Sequence, residues 1–436
     1  MNSPNDDQLR AEGDVNFSAV RRQWQAAHLD ERTRSILDDD ARAFLHQSLS
    51  TPCLNALEGC EGIYLIDSAG RRIMDFHGNS AHQVGYGHPR VVQAVKDQLD
   101  NLPFCPRRYT NAPAIELAKK LAQIAPGDLS KVLFAPAGTA AIGIALKLAR
   151  YATGRHKTIS MWGSFHGASL DAISVGGEAL FREGLGPLLP GSLHVPWPHK
   201  EEDAGEIEQL MIQEGDIGAV VAEPMRCTTV DAPPAAYWRR VRELCDAHGA
   251  LLIFDEIPLG LGRTGRFFCC EHFDVTPDVL VMGKGLGGGV MPLAAAITRA
   301  DLDVAPHRAL GHYTHEKSPL AAAAALATID VIEQENLVAR AHALGQHAAR
   351  RLRNLQQQLP LISDVRALGL AIAVELSRDG QRANAEAERA LYECLSRGLS
   401  FKVSDGNVLT LMPPLVISEA ELDAALDIVE GVLRAL

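Results

Sequence analysis

Two residues of this chain, 29 positions apart, have the types and the setting for amine and carbonyl chemistry: Asp255 and Lys284. Asp255 closes the apolar run Leu251–Phe254, and Lys284 follows the apolar run Val279–Met282 after a single glycine. A lysine amine condenses with an aldehyde, and a carboxylate can hold a heterocyclic nitrogen in its protonated form. The pair therefore suits pyridoxal phosphate, with Lys284 forming the Schiff base and Asp255 facing the pyridinium nitrogen. Lysine usage adds weight: ten lysines stand against 32 arginines, and Lys284 is the only lysine between Lys200 and Lys317. The competing reading is a lysine that closes a strand in a tight turn, with the glycines of 283–289 serving backbone geometry alone.

Both apolar runs have strand length and no polar alternation, as buried strands of a parallel sheet do. Ligands bind outside the carboxyl ends of such strands. A further strand, Val132–Ala135, leads through Pro136-Ala-Gly-Thr139 into a helix expected over Ala140–Tyr151. Strand, small-residue turn and helix start make an anion site from backbone N–H groups and the helix dipole, or simply a well-capped helix. Thr158–Met161 runs on to Phe165-His-Gly167, where Phe165 is placed to stack on a flat ring or to join the core. Gly218–Ala222 ends in Glu223-Pro224, and the amphipathic stretch Tyr237–His248 feeds the Leu251 run. This alternation predicts an α/β domain with a mostly parallel, doubly wound sheet. After Arg299 helices are expected over Ser318–Glu333, Leu337–Leu359 and Glu419–Leu436, with strands at Val365–Leu376 and Asn407–Leu411. Together with a hairpin at Ile63–Phe76 they predict a smaller α+β domain drawn from both chain ends. The expected divisions are 1–84, 85–305 and 306–436, and the first dozen polar residues are expected to be disordered.

Composition bounds the partners. With 47% apolar and 22% charged residues the chain is of ordinary globular type. No apolar run reaches the ~18–20 residues of a membrane helix. A net charge of −12 argues against nucleic acid and anionic membranes. The polar, acidic N-terminus resembles neither a signal nor a transit peptide. Eight scattered cysteines without a CxxC pair read as reduced thiols, with no disulfide framework and no metal site, as expected in the cytoplasm.

Further short motifs follow one another in order: Glu61-Gly-Ile-Tyr-Leu65 with Asp67, Gly87-His-Pro89, Ala137-Gly-Thr139, Phe165-His-Gly167, Glu223-Pro224, Asp255-Glu256, Gly262-Arg-Thr-Gly265, Gly283-Lys-Gly285, Thr314 five residues before Pro319, and Pro413-Pro-Leu415. On these the chain resembles the class III, fold-type I family of pyridoxal-phosphate-dependent aminotransferases, over roughly residues 55–436. The resemblance implies that Lys284 holds pyridoxal 5'-phosphate covalently, Asp255 faces its ring nitrogen and Phe165 stacks on the ring. Gly138 and Thr139 would bind its phosphate through the helix N-terminus. Thr314 would reach the phosphate of the neighbouring subunit's cofactor, which implies a homodimer with shared active sites.

Departures from the family pattern bear on the reaction. The family helix usually reads Ser-Gly-x-Glu-Ala-Asn-Glu, whereas here it is Ala137-Gly-Thr-Ala-Ala-Ile-Gly143. The usual Asp-Glu-Val-Gln is Asp255-Glu-Ile-Pro258, and the arginine that grips the donor carboxylate in many aminotransferases is Thr410. A keto acid needs a bidentate cation, so transamination loses its main anchor unless Arg107 or Arg108 replaces it. Phe76–Asn79, His82–Tyr86, Leu102–Asn111 and Gly311–Pro319 resemble the lyase branch, most nearly the ammonia-lyases of phosphonate breakdown. That resemblance implies a small hydroxylated aminophosphonate as substrate, with β-elimination of hydroxide and enamine hydrolysis giving phosphonoacetaldehyde and ammonia. Candidate substrate contacts are His82, Arg107, Arg108, His315, Lys317 and Thr410. Adjacent arginines equally serve as surface ion-pair formers, and His77 and His166 equally as structural histidines. An ω-aminotransferase of 2-aminoethylphosphonate or a related amine is the alternative. A silent binding protein on the same fold is disfavoured by the retention of both Lys284 and Asp255.

Overall fold

The computed structural model describes residues 17–436, and the N-terminal stretch expected to be disordered lies outside them. Two compact units are present. One comprises His88–Cys227 and Asp231–Val338; the other comprises the described residues up to Gly87, the short segment Thr228–Val230, and Ala339–Leu436.

The first unit is built on a seven-stranded sheet. Its order is Leu129–Ala135, Ala294–Arg299, Val279–Met282, Leu251–Asp255, Ile217–Ala222, Lys157–Met161 and Ser192–Val195. Ala294–Arg299 runs antiparallel to both neighbours, and the remaining pairings are parallel. Every residue of the Ile217, Leu251 and Val279 strands is buried, which is why these runs carry no polar alternation. The helix Gly138–Thr153 closes one face, with Ile142, Ile144 and Leu148 in the core beside Val221, Ile253 and Val281. Each such fully buried aliphatic side chain contributes about 1.5–3 kcal/mol. Ile142, where the family has a polar residue, is a core residue here.

The alanine-rich helix Pro319–Gln334 packs against the helices Pro89–Asn101 and Ala112–Ile124. Its buried Ala321, Ala322, Ala324 and Ala325 permit that close approach, so the helix belongs to this unit. The second unit resumes at Ala339 rather than at 306.

The second unit draws on both chain ends. Leu57–Glu61, Tyr64–Asp67 and Arg72–Asp75 form an antiparallel run, and Leu399–Ser400 joins it in parallel beside Arg72–Asp75. Asp67 fixes the hairpin turn by accepting from the N–H groups of Ala69 and Arg71 and pairing with the Arg71 guanidinium. A second sheet orders Ile362–Leu368, Ala371–Arg378, Val408–Leu411 and Lys402–Ser404. The single strand expected at Val365–Leu376 is thus a hairpin. Leu368 opposes Ala371 across a two-residue turn, where Gly369 takes φ +56. The closing helix Glu419–Leu433 starts in a capping box of Ser418 and Glu421. Among the described residues no helix is long and apolar enough to cross a membrane.

Candidate active site

Lys284 stands just past the end of the Val279–Met282 strand. Its φ of +46 lies in the left-handed region, which costs a non-glycine residue free energy and clusters at functional sites. Gly283, Gly285 and Leu286 around it are buried, whereas the Lys284 side chain is exposed. The amine is therefore presented to open space from a rigid, buried turn.

On the adjacent parallel strand Asp255 pairs in register with Val281 and is 2% exposed. Its Oδ1 accepts from the Ile257 N–H at 3.0 Å, and Oδ2 is bonded to His166 Nδ1 at 2.9 Å. His166 is itself buried, and its Nε2 has no hydrogen-bond partner among the described residues. Glu223, at the end of the next strand, accepts from the backbone N–H groups of Phe165 at 3.2 Å and Cys227 at 3.0 Å. Burial raises its carboxyl pKa, and the nearby His166 opposes that rise. Sequence reasoning gave His166 no role beside Asp255; its place next to Phe165 was the available signal. Phe165 is half-buried and packs on Phe181, ring centroids 4.6 Å apart.

The Gly138–Thr153 helix starts without a side-chain cap, because its N-cap residue is Ala137. The first intrahelical bond runs from the Ala141 N–H to the Ala137 carbonyl. The N–H groups of Gly138, Thr139 and Ala140 precede it, at the positive end of a 16-residue helix. A Cβ on Gly138 would stand 2.7 Å from Ile257 Cδ1, so the turn is seated against the strand end that carries Asp255. Gly138→Val is expected to destabilise by about 1–3 kcal/mol through overpacking. The fall in Tm, together with weaker cofactor uptake, is the measurement; an unchanged Tm would show that Ile257 yields.

The remaining candidates fall in two places. Thr314, His315 and Lys317 are exposed on the loop before Pro319, in the unit that carries Lys284. Arg107 and Arg108 are exposed on a loop tied to it: Arg107 meets His312, Phe104 packs edge-on to His315 at 5.2 Å, and Asn111 donates to the Lys317 carbonyl at 3.0 Å. His82 and Thr410 belong to the other unit, and both are buried. His82 Nε2 is bonded to the Asp75 carbonyl at 3.1 Å, with its ring laid over Gly78. Thr410 donates to the Thr228 carbonyl at 2.5 Å and pairs with Ser404 Oγ at 3.1 Å.

An exposed amine, a buried carboxylate on the adjacent strand end and an uncapped helix start call for one group that is at once an aldehyde, a heterocyclic base and an anion. Pyridoxal phosphate fits that donor set. Lys284 would hold its aldehyde carbon, Asp255 its ring nitrogen, and the N–H groups of Gly138 to Ala140 its phosphate.

The chain belongs to the class-III aminotransferase family, whose model matches residues 47–433. It is a pyridoxal-phosphate-dependent enzyme of that family. It is 49% identical to the (R)-1-hydroxy-2-aminoethylphosphonate ammonia-lyase of Vibrio splendidus, over 97% of this chain and 94% of the relative. It is 39% identical to an acetylornithine aminotransferase of Methanopyrus kandleri, over 86% and 95% of the two chains. Among solved structures, a transaminase from the marine bacterium Virgibacillus superposes with a TM-score of 0.88 at 28% identity, covering 92% of this chain and 99% of that one.

Proposed function

We propose that this enzyme is an ammonia-lyase that converts (R)-1-hydroxy-2-aminoethylphosphonate to phosphonoacetaldehyde and ammonia. The observation that carries this reading is the 49% identity to the Vibrio splendidus lyase across nearly the full length of both chains. Thr410 supports it, since an uncharged side chain committed to Thr228 and Ser404 cannot grip the carboxylate of a keto acid.

When bound, pyridoxal phosphate supplies an electron-withdrawing ring conjugated to the substrate nitrogen. The Lys284 amine removes a proton from the amino-bearing carbon, and Asp255 keeps the proton on the ring nitrogen. The β-hydroxyl leaves as the neighbouring C–H electron pair forms the carbon–carbon double bond, and protonated Lys284 supplies the proton that makes it water. Released enamine tautomerises and takes up one water, giving aldehyde and ammonia, so no net water and no keto acid are consumed. Arg107, Arg108, His315 and Lys317 supply positive charge for the phosphonate in this reading. His82 and Thr410 hold buried bonds of their own, to the Asp75 carbonyl and to Thr228 and Ser404.

The same reading includes a cytoplasmic homodimer in which Thr314 serves the neighbour's cofactor. Exposed Leu99, Leu102, Phe104, Tyr109 and Ile115 offer the apolar surface that a partner subunit would cover. None of the eight cysteines is joined in a disulfide, as suits a reducing compartment.

The test is ammonia release from the hydroxylated aminophosphonate by purified holoenzyme without any keto acid. Many turnovers per active site are expected. A single turnover that resumes only on adding 2-oxoglutarate would overturn the lyase reading in favour of an aminotransferase.

A further inference from the structure

Three side chains at the start of the Gly138–Thr153 helix form a chain that the reaction above does not use. Ser169 Oγ lies 2.5 Å from Asp171 Oδ1 and 2.5 Å from Thr139 Oγ1, and the Ser169 N–H donates to Thr139 Oγ1 at 3.1 Å. Proton directions follow from the end group. A carboxylate only accepts, so the Ser169 hydroxyl donates to Asp171. Ser169 Oγ must then accept, and the donor to it is the Thr139 hydroxyl. Thr139 Oγ1 accepts in turn from the Ser169 N–H. The hydroxyl hydrogen of Thr139 is thereby spent inside the protein. What this helix start offers an anion is backbone N–H, from Gly138, Thr139 and Ala140.

Two glycines make the chain possible. Gly167 takes φ +123, and a Cβ there would stand 2.5 Å from Thr139 Oγ1. At Gly143 a Cβ would stand 2.6 Å from Asp171 Oδ2. Gly143 is also where the family helix carries the second glutamate of its pattern. In this chain the position has no side chain, and the carboxylate of Asp171, from the first turn of the short helix Leu170–Val175, fills the space.

We propose that Ser169 and Asp171 are positioning residues for the cofactor phosphate. They lock Thr139 and the Gly167 loop together, so the N–H groups of the helix start are aimed before the phosphate arrives. This rests on the pyridoxal-phosphate assignment and is independent of the substrate.

The test titrates apo-enzyme with pyridoxal 5'-phosphate and, separately, with phosphate-free pyridoxal, following absorbance. Wild type, Ser169→Ala, Ser169→Thr, Asp171→Ala and the double variant Gly143→Asp/Asp171→Ala are compared, with circular dichroism as the check on folding. Ser169→Ala and Asp171→Ala are expected to weaken pyridoxal phosphate about tenfold, the scale of one charge-assisted hydrogen bond, and to leave pyridoxal within about twofold. Ser169→Thr keeps the hydroxyl and is expected to keep the affinity. The double variant restores a carboxylate from the helix side and is expected to recover part of the loss. Equal weakening of both ligands, or no weakening of either, would overturn the proposal. Equal affinity of wild type for both ligands would overturn the phosphate seat itself. No uptake of pyridoxal phosphate by wild type would instead sink the cofactor assignment.

Discussion

Lys284→Ala is expected to abolish turnover, lowering kcat by at least about 10⁴-fold, because general acid–base catalysis alone contributes ~10²–10⁴ and covalent holding is lost as well. The fold should survive, since the lysine side chain is exposed and its turn is made by buried neighbours on either side. Borohydride treatment followed by peptide mapping should place the cofactor on Lys284 in wild type and nowhere in the variant. Lys284→Arg should be as inactive as the alanine variant, because a guanidinium keeps its charge yet neither condenses with an aldehyde nor gives up its proton. Residual turnover within about tenfold of wild type would mean that another residue is the base.

Asp255 is the second large effect, and its two obvious variants separate structure from chemistry. Asp255→Ala leaves buried His166 without its 2.9 Å partner and the Ile257 N–H without an acceptor. Breaking a buried pair from one side costs about 3–5 kcal/mol, so a lower Tm and lost activity should come together. Asp255→Asn keeps the shape, and its amide oxygen can still accept from His166 or from Ile257. Its Tm should stay near that of wild type while kcat falls by about 10²–10³, the scale of one lost electrostatic contact to a developing charge. An asparagine variant with near-wild-type kcat would show that the ring nitrogen needs no anion here.

The strands that carry these two residues were legible because a parallel strand covered on both faces must be apolar throughout. The start of the Gly138–Thr153 helix was legible as well, because the small residues Ala137, Gly138 and Thr139 mark the turn out of the preceding strand. Other elements hid behind composition. Ala294–Arg299 opens with three alanines and reads as helix-favouring, yet it is an inserted antiparallel strand with all but its last residue buried. The hairpin turn at Gly369–Leu370 was masked because Leu368, Leu370 and Ala371 continue the apolar run. At the candidate site, residue type and strand-end position singled out Lys284 and Asp255, and the fold sets them at the ends of adjacent parallel strands. The links to His166 and from Thr139 to Asp171 depend on which loops meet after folding, and no spacing in the chain encodes that directly.

The inserted strand also bears on how the enzyme is made. Leu129–Ala135 has a single neighbour in the sheet, Ala294–Arg299, which begins 159 positions after Ala135. At ~5–20 residues per second a ribosome needs roughly 8–30 s to deliver it. Throughout that time Val132, Leu133 and Phe134 wait as an unpaired edge, the kind of surface that recruits other chains. The helix start proposed to seat the cofactor phosphate hangs from that strand, so the nascent chain would acquire that seat only after Lys284 has already emerged. Biogenesis of this enzyme is thus exposed to aggregation for more than a third of its synthesis, 159 of 436 positions, and a chaperone that shelters the nascent edge would raise its yield.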